Sequence, residues 1–162
     1  MHPMIVRLRS RAFSLIELII VVVIIGIIAA IAIPRLSRGA AGAADSALIA
    51  DLAIMRSAID LFITEHTGTR PTLANFDNQM ELFSDIAGAT AASKGGAFIY
   101  GPYLRAVPAL PVGARKGSKL VKGPPADGTG TEGWVYDQAT GNIQANCAAT
   151  ELDDSGTPYN TY

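Results

Sequence analysis

Glu17 is the residue whose position most needs a chemical reason. It is the one charge in a run of 21 residues, Phe13 to Ile33, and the sixteen residues that follow it, Leu18 to Ile33, have no polar side chain. A carboxylate held in hydrocarbon costs about 2.5–3.5 kcal/mol on insertion scales, and such residues are usually functional. A site near the interface, with the side chain reaching for the headgroups, would cost less. The other chemistry-bearing residues are sparse. Asp153 and Asp154 are adjacent carboxylates, with Asp127 and Asp137 further off. His66 follows Glu65 at an expected helix end, where a cation complements the helix dipole. Cys147 stands alone, which excludes an internal disulfide and a Cys-based zinc cluster and reads as a small buried hydrophobe. No nucleophile, base and acid form a recognisable set, so a catalytic role has little support. The net charge of −1 gives no polycation, and neither a phosphate-binding loop nor basic-aromatic interleaving is present, so no nucleic acid is expected as a partner.

The element that positions Glu17 must be a helix. Twenty-one helical residues rise about 31 Å, enough for a hydrocarbon core of roughly 30 Å. Arg7, Arg9 and Arg11 precede the run, and Arg35 and Arg38 follow it, a slight bias towards an N-terminus on the cytoplasmic side. A secretory signal is the competing reading, with Ala30-Ile31-Ala32 as its cleavage site. Pro34 lacks an N–H and is expected to break or kink the helix. Beyond it, RLSRGAAGAA (35–44) is a bendable stretch. Leu48, Leu52, Met55, Ile59 and Phe62 then recur at steps of four and three, one apolar stripe that must be buried. Gly68 is the expected stop.

A second helix is expected over Thr72 to Ala87, with Leu73, Phe76, Met80 and Phe83 inward. The chain then becomes dense in Gly and Pro, which argues for turns. Ala97 to Tyr100 is a strand candidate. Trp134 to Tyr136 and Asn142 to Ala145 flank a turn and read as a hairpin. The last eleven residues read as a loop or tail. Together these give an α+β chain: a long N-terminal helix, membrane-spanning in its first half, packed against a small antiparallel sheet.

The N-terminal residues resemble the type IV prepilin signature. A basic leader ends in a small residue, Ala12, followed by Phe13, three residues, Glu17 and an apolar helix, with Gly26 and Pro34 in family positions. The family prefers Gly before the cut, so Ala12 implies slower processing. The resemblance implies cleavage between Ala12 and Phe13 by a prepilin peptidase and N-methylation of Phe13. The new α-amine, cationic at neutral pH, then lies four residues before Glu17 and can pair with it in low dielectric, within one subunit or between subunits. The resemblance favours pairing between subunits, which makes Glu17 an assembly residue.

Three later segments are similar to the major pseudopilin of type II secretion systems: EHTGTRPTL (65–73), GPYLRAVPALPVG (101–113) and the hairpin WVYDQATGNIQAN (134–146). Arg70 stands in place of an aromatic, and Leu110-Pro111-Val112-Gly113 lacks two family markers. The resemblance implies a leader (1–12), a transmembrane helix (13–34), the periplasmic half of the long helix (35–68) and a globular α/β head (69–162). It implies a non-enzymatic fibre subunit in the bacterial inner membrane with its head in the periplasm. The expected partners are identical subunits in a homopolymer, minor pseudopilins and the inner-membrane assembly platform. A type IV pilin for adhesion or DNA uptake, and a bitopic periplasmic protein with an uncut anchor, are the alternatives. It also raises calcium as a cofactor, with Asp153 and Asp154 as candidate ligands, although two adjacent carboxylates fall short of the six to eight oxygens calcium takes.

Charge is divided along the chain. Residues 86–126 hold six Lys and Arg (Lys94, Arg105, Arg115, Lys116, Lys119, Lys122) and no acid. Residues 123–162 hold six acids and no base. Two solvated loops would explain this, and so would complementary faces meeting between stacked subunits.

Overall fold

The computed structural model describes residues 13–162, with backbone alone for 33–38. The leader, including Ala12 and the arginines at 7, 9 and 11, lies outside the described residues. The chain divides into two compact units, Met1–Gly39 and Ala40–Tyr162.

Helix α1 spans Leu15–Glu65. In the first unit its large apolar side chains point outward, and Leu15–Ala32 has a mean hydropathy of 3.2 with no residue buried. This is the one helix among the described residues that is long and apolar enough to cross a membrane. The break expected at Pro34 does not occur, because α1 is helical on both sides of that position. A proline deletes one ladder hydrogen bond, and its neighbours can remain helical if that one loss is accommodated.

In the second unit the predicted stripe is the core. Leu48, Leu52, Met55, Ile59 and Phe62 are each at most 1% exposed. Each such side chain stabilises the fold by about 1.5–3 kcal/mol relative to exposure. The helix ends one residue earlier than the glycine signal suggests. Thr67 takes a left-handed φ of 55°, and the Gly68 N–H donates to the Ile63 carbonyl at 2.9 Å, a Schellman closure.

After α1 comes a 3-10 turn, Leu73–Asn75, then helix α2, Phe76–Glu81. Phe76 and Met80 are buried as expected, but the helix is far shorter than Thr72 to Ala87. Phe83–Ser84 is instead strand β1, paired antiparallel with β2, Thr90–Ala91. The AFIY segment forms only isolated bridges, Gly95 with Phe98 and Ser84 with Tyr100. Strand β3, Val121–Lys122, β4, Trp134–Asp137, and β5, Asn142–Ala145, make the second sheet in the order β3-β4-β5. The β4–β5 hairpin is antiparallel with Trp134 opposite Ala145, as its sequence predicts. The two-residue β3 joins it in parallel, so the sheet is mixed. Trp134, Val135 and Tyr136 are all buried, so β4 is covered on both faces. The Trp134 indole donates to the Pro108 carbonyl at 2.8 Å, and the Tyr136 hydroxyl to the Pro71 carbonyl at 3.0 Å. The fold is α+β: a long apolar N-terminal helix, a short helix and small sheets, consistent with a pilin-like fold.

Candidate functional site

The N-terminus of α1 holds the first functional constellation. The Ser14 carbonyl accepts the first helical bond, from the Leu18 N–H at 3.2 Å, which makes Ser14 the N-cap. Glu17 is then the third helical residue, and its Oε2 accepts the Ser14 N–H at 3.2 Å. This is half of a capping box, and Ser14-Leu15-Ile16-Glu17 spells its S-x-x-E signature. The carboxylate therefore has a local role in closing the helix start. Phe13, beside it, is 83% exposed.

The loop from Gly101 to Gly113 is a structural brace. The Tyr103 and Leu104 N–H groups both donate to the Met80 carbonyl, at 2.9 and 2.8 Å. The Tyr103 hydroxyl donates to Glu65 at 2.6 Å, and the Val107 N–H to Glu81 at 2.7 Å. Burial first, and then the Glu65 carboxylate, push the Tyr103 hydroxyl well above its usual range. Leu104, Val107, Leu110 and Val112 enter the core. Gly101 has φ +70°, and a Cβ there would stand 2.9 Å from the Leu82 carbonyl oxygen, so the backbone requires glycine.

His66 is not solvated at the helix end. It is fully buried, stacked on Phe62 with ring centroids 3.7 Å apart. Its Nδ1 faces the Phe62 carbonyl at 2.8 Å and its Nε2 the Ser84 hydroxyl at 3.0 Å. Nδ1 donates to that carbonyl, which can only accept, and both nitrogens are spent on structure. Cys147 is buried as expected, and burial pushes its thiol up to about 12.

The divided charges meet inside the subunit. Lys122 donates to Asp127 at 2.8 Å, and Arg115 lies 3.9 Å from Glu151. The Lys122 ammonium, with the Thr129 N–H and hydroxyl, holds the Asp127 carboxyl well below its usual range. Glu151 also accepts the Ala114 and Ala148 N–H groups, which ties two loops together. Two of the six bases, Arg115 and Lys122, thus reach acids of their own fold.

Asp153, one of the two calcium candidates, lies in a tight turn of the C-terminal segment. Asp153 Oδ1 accepts the Ser155 N–H and hydroxyl and the Thr157 N–H, at 2.8, 2.7 and 2.8 Å. Its Oδ2 accepts the Tyr162 hydroxyl. These donors, the Tyr162 hydroxyl foremost, hold the Asp153 carboxyl down to about 2. The Asp153 carboxylate thus accepts N–H and O–H donors in a tight turn. Among the described residues no group of three or more His, Cys, Asp and Glu is placed to hold an ion.

Two contributors escaped the sequence. Arg56 donates to the Ile143 and Tyr162 carbonyl oxygens, at 3.1 and 2.7 Å. Asp45 accepts the Tyr159 hydroxyl at 2.7 Å. Both partners lie about a hundred residues away in the chain, beyond any spacing rule.

Residues 7–33 match the prokaryotic N-terminal methylation motif, a type IV pilin-like prepilin signal. No curated protein and no solved structure matches the chain. The chain thus carries a pilin-like N-terminal signal that includes a membrane-length apolar helix, followed by an α+β head.

Proposed function

We propose that this chain is the structural subunit of a periplasmic pseudopilus that drives protein export by a type II secretion system. The observation that carries the reading is the outer surface of α1. From Phe13 to Ile31 its large apolar side chains are 48–83% exposed, on a helix that continues into a head with a core of its own. A surface of that kind is stable only in lipid or against other apolar helices. The methylation motif joins these two environments: a subunit that waits in the membrane and then packs helix against helix in a fibre.

In this reading the peptidase removes residues 1–12 and Phe13 is methylated. The head lies in the periplasm, and minor pseudopilins and an inner-membrane platform assemble the fibre. Glu17 pairs with the α-amine of a neighbouring subunit and sets its register. The secretion assignment draws on the 101–113 brace and the closing hairpin, both of which are similar to segments of major pseudopilins. The test is deletion of the gene in its native host, with complementation. Loss of proteins from the culture medium, with surface fibres unaffected, is the expected result. Loss of surface fibres or DNA uptake with secretion intact would assign the chain to a pilus instead.

A further inference from the structure

The stretch of α1 that begins the head unit is loosely held. Residues 40–47 comprise Gly42, five alanines, Asp45 and Ser46, and the first fully buried side chain is Leu48. Alanines bury little apolar area, and a mid-helix glycine lowers helix stability. Ser46 bonds back to the Gly42 carbonyl at 2.9 Å, within the helix itself. The polar tie to the rest of the head is Asp45, whose Oδ1 accepts the Tyr159 hydroxyl at 2.7 Å and whose Oδ2 accepts the Asp154 N–H at 3.2 Å.

The segment that supplies these donors is itself closed. The Asp153 N–H donates to the Thr157 carbonyl at 2.9 Å and the Tyr159 N–H to the Glu151 carbonyl at 3.0 Å, with Leu152 bridged to Pro158. Asp153 is filled by Ser155, Thr157 and Tyr162. Arg56 holds the far end through the Tyr162 oxygen at 2.7 Å. Residues 151–162 therefore grip α1 at Asp45 and Arg56, roughly three helical turns apart. Burial, and after it the Asp45 carboxylate, raise the Tyr159 hydroxyl above its usual range, so the bond keeps its proton at ordinary pH.

We propose that residues 151–162 are a strap closed on Asp45 by hydroxyl and N–H donors rather than by a cation, and that opening the strap frees residues 40–47 of α1 while the core from Leu48 onward stays folded. The position gives the strap its consequence. Within the head it fastens the stretch of α1 that precedes the first buried side chain, Leu48, and it does so through exposed or half-buried hydrogen bonds that open at lower free energy than the core.

The test is hydrogen exchange read by mass spectrometry on the full chain in detergent micelles. Tyr159→Phe removes one hydroxyl and keeps the ring. Asp45→Ala removes the acceptor while raising helix propensity, so any loosening it causes is against its intrinsic tendency. Each variant is expected to speed exchange of amides 40–47 about tenfold, and the double variant no further than the larger single effect. Amides of β4 and β5 and the fluorescence of Trp134 stay unchanged, and neither calcium nor a chelator alters the wild type. Unchanged exchange at 40–47 in Tyr159→Phe overturns the strap. Faster exchange in β4 and β5 together with 40–47 shows that the segment opens only with the core, which also overturns it. Slower wild-type exchange on adding calcium, reversed by the chelator, shows a cation closure and refutes the donor-closed one.

Discussion

Substituting Glu17 separates its two roles. The Ser14 N–H lies 3.2 Å from Glu17 Oε2, so the side chain closes the helix start whether or not a neighbouring subunit is present. That cap, with its dipole interaction, is worth about 0.5–1 kcal/mol. Glu17→Gln keeps an acceptor oxygen at the same position and loses the charge; Glu17→Ala loses both. A hydrogen bond to a charged partner contributes about 1.5–3 kcal/mol, and about 1.4 kcal/mol is tenfold in an equilibrium constant. If Glu17 pairs with the Phe13 amine of a neighbour, both variants raise the critical concentration for assembly about tenfold or more. Membrane insertion is unchanged or improved in each, because a charge has been removed from the span. The assays are carbonate extraction for insertion and sedimentation of purified, processed subunits for assembly. Normal assembly by Glu17→Gln alongside failure of Glu17→Ala would refute charge pairing and leave the cap as the whole role.

Three further outcomes follow from the head. Phe62→Ala removes a fully buried ring stacked on His66 and is expected to destabilise the head by about 3–5 kcal/mol, read from urea unfolding by Trp134 fluorescence; a change below 1 kcal/mol, roughly, would contradict its core position. Glu151→Gln weakens the tie to the Ala114 and Ala148 N–H groups and lowers the head's melting temperature in monomers, whereas an effect confined to fibres would restore an intersubunit role for these charges. Asp153 is depressed in the folded state to about 2, so its stabilisation is present above its unfolded value near 4 and is lost as pH falls from there towards 2; melting curves of wild type and Asp153→Asn should converge across that window, and parallel curves would refute the linkage.

What the sequence made legible is what periodicity and composition encode. The α1 stripe from Leu48 to Phe62 and the β4–β5 hairpin emerge where predicted, because burial of one helix face and a short turn are local signals. The capping box at Ser14 and Glu17 is equally local, an S-x-x-E spacing just ahead of an apolar run. The second helix fails beyond Glu81 because β1 pairs with β2, six to eight residues on, and bridges to Tyr100, a choice set by pairing partners rather than by any period in the segment itself. The same holds for the parallel β3–β4 pair, for Arg56 on the Tyr162 oxygen and for Asp45 on Tyr159. The charge division was visible as signs along the chain, but only the fold sets distances, and it brought Arg115 to Glu151 and Lys122 to Asp127.

Processing of a prepilin in front of an apolar assembly helix is read out by the intact mass of the protein purified from membranes of cells that contain the peptidase. The expected value is the mass of the chain from Phe13 to Tyr162 plus one methyl group. The mass of the uncut chain would contradict it, and so would a chain beginning at Ile33, which would make the apolar run a secretory signal cut after Ala32.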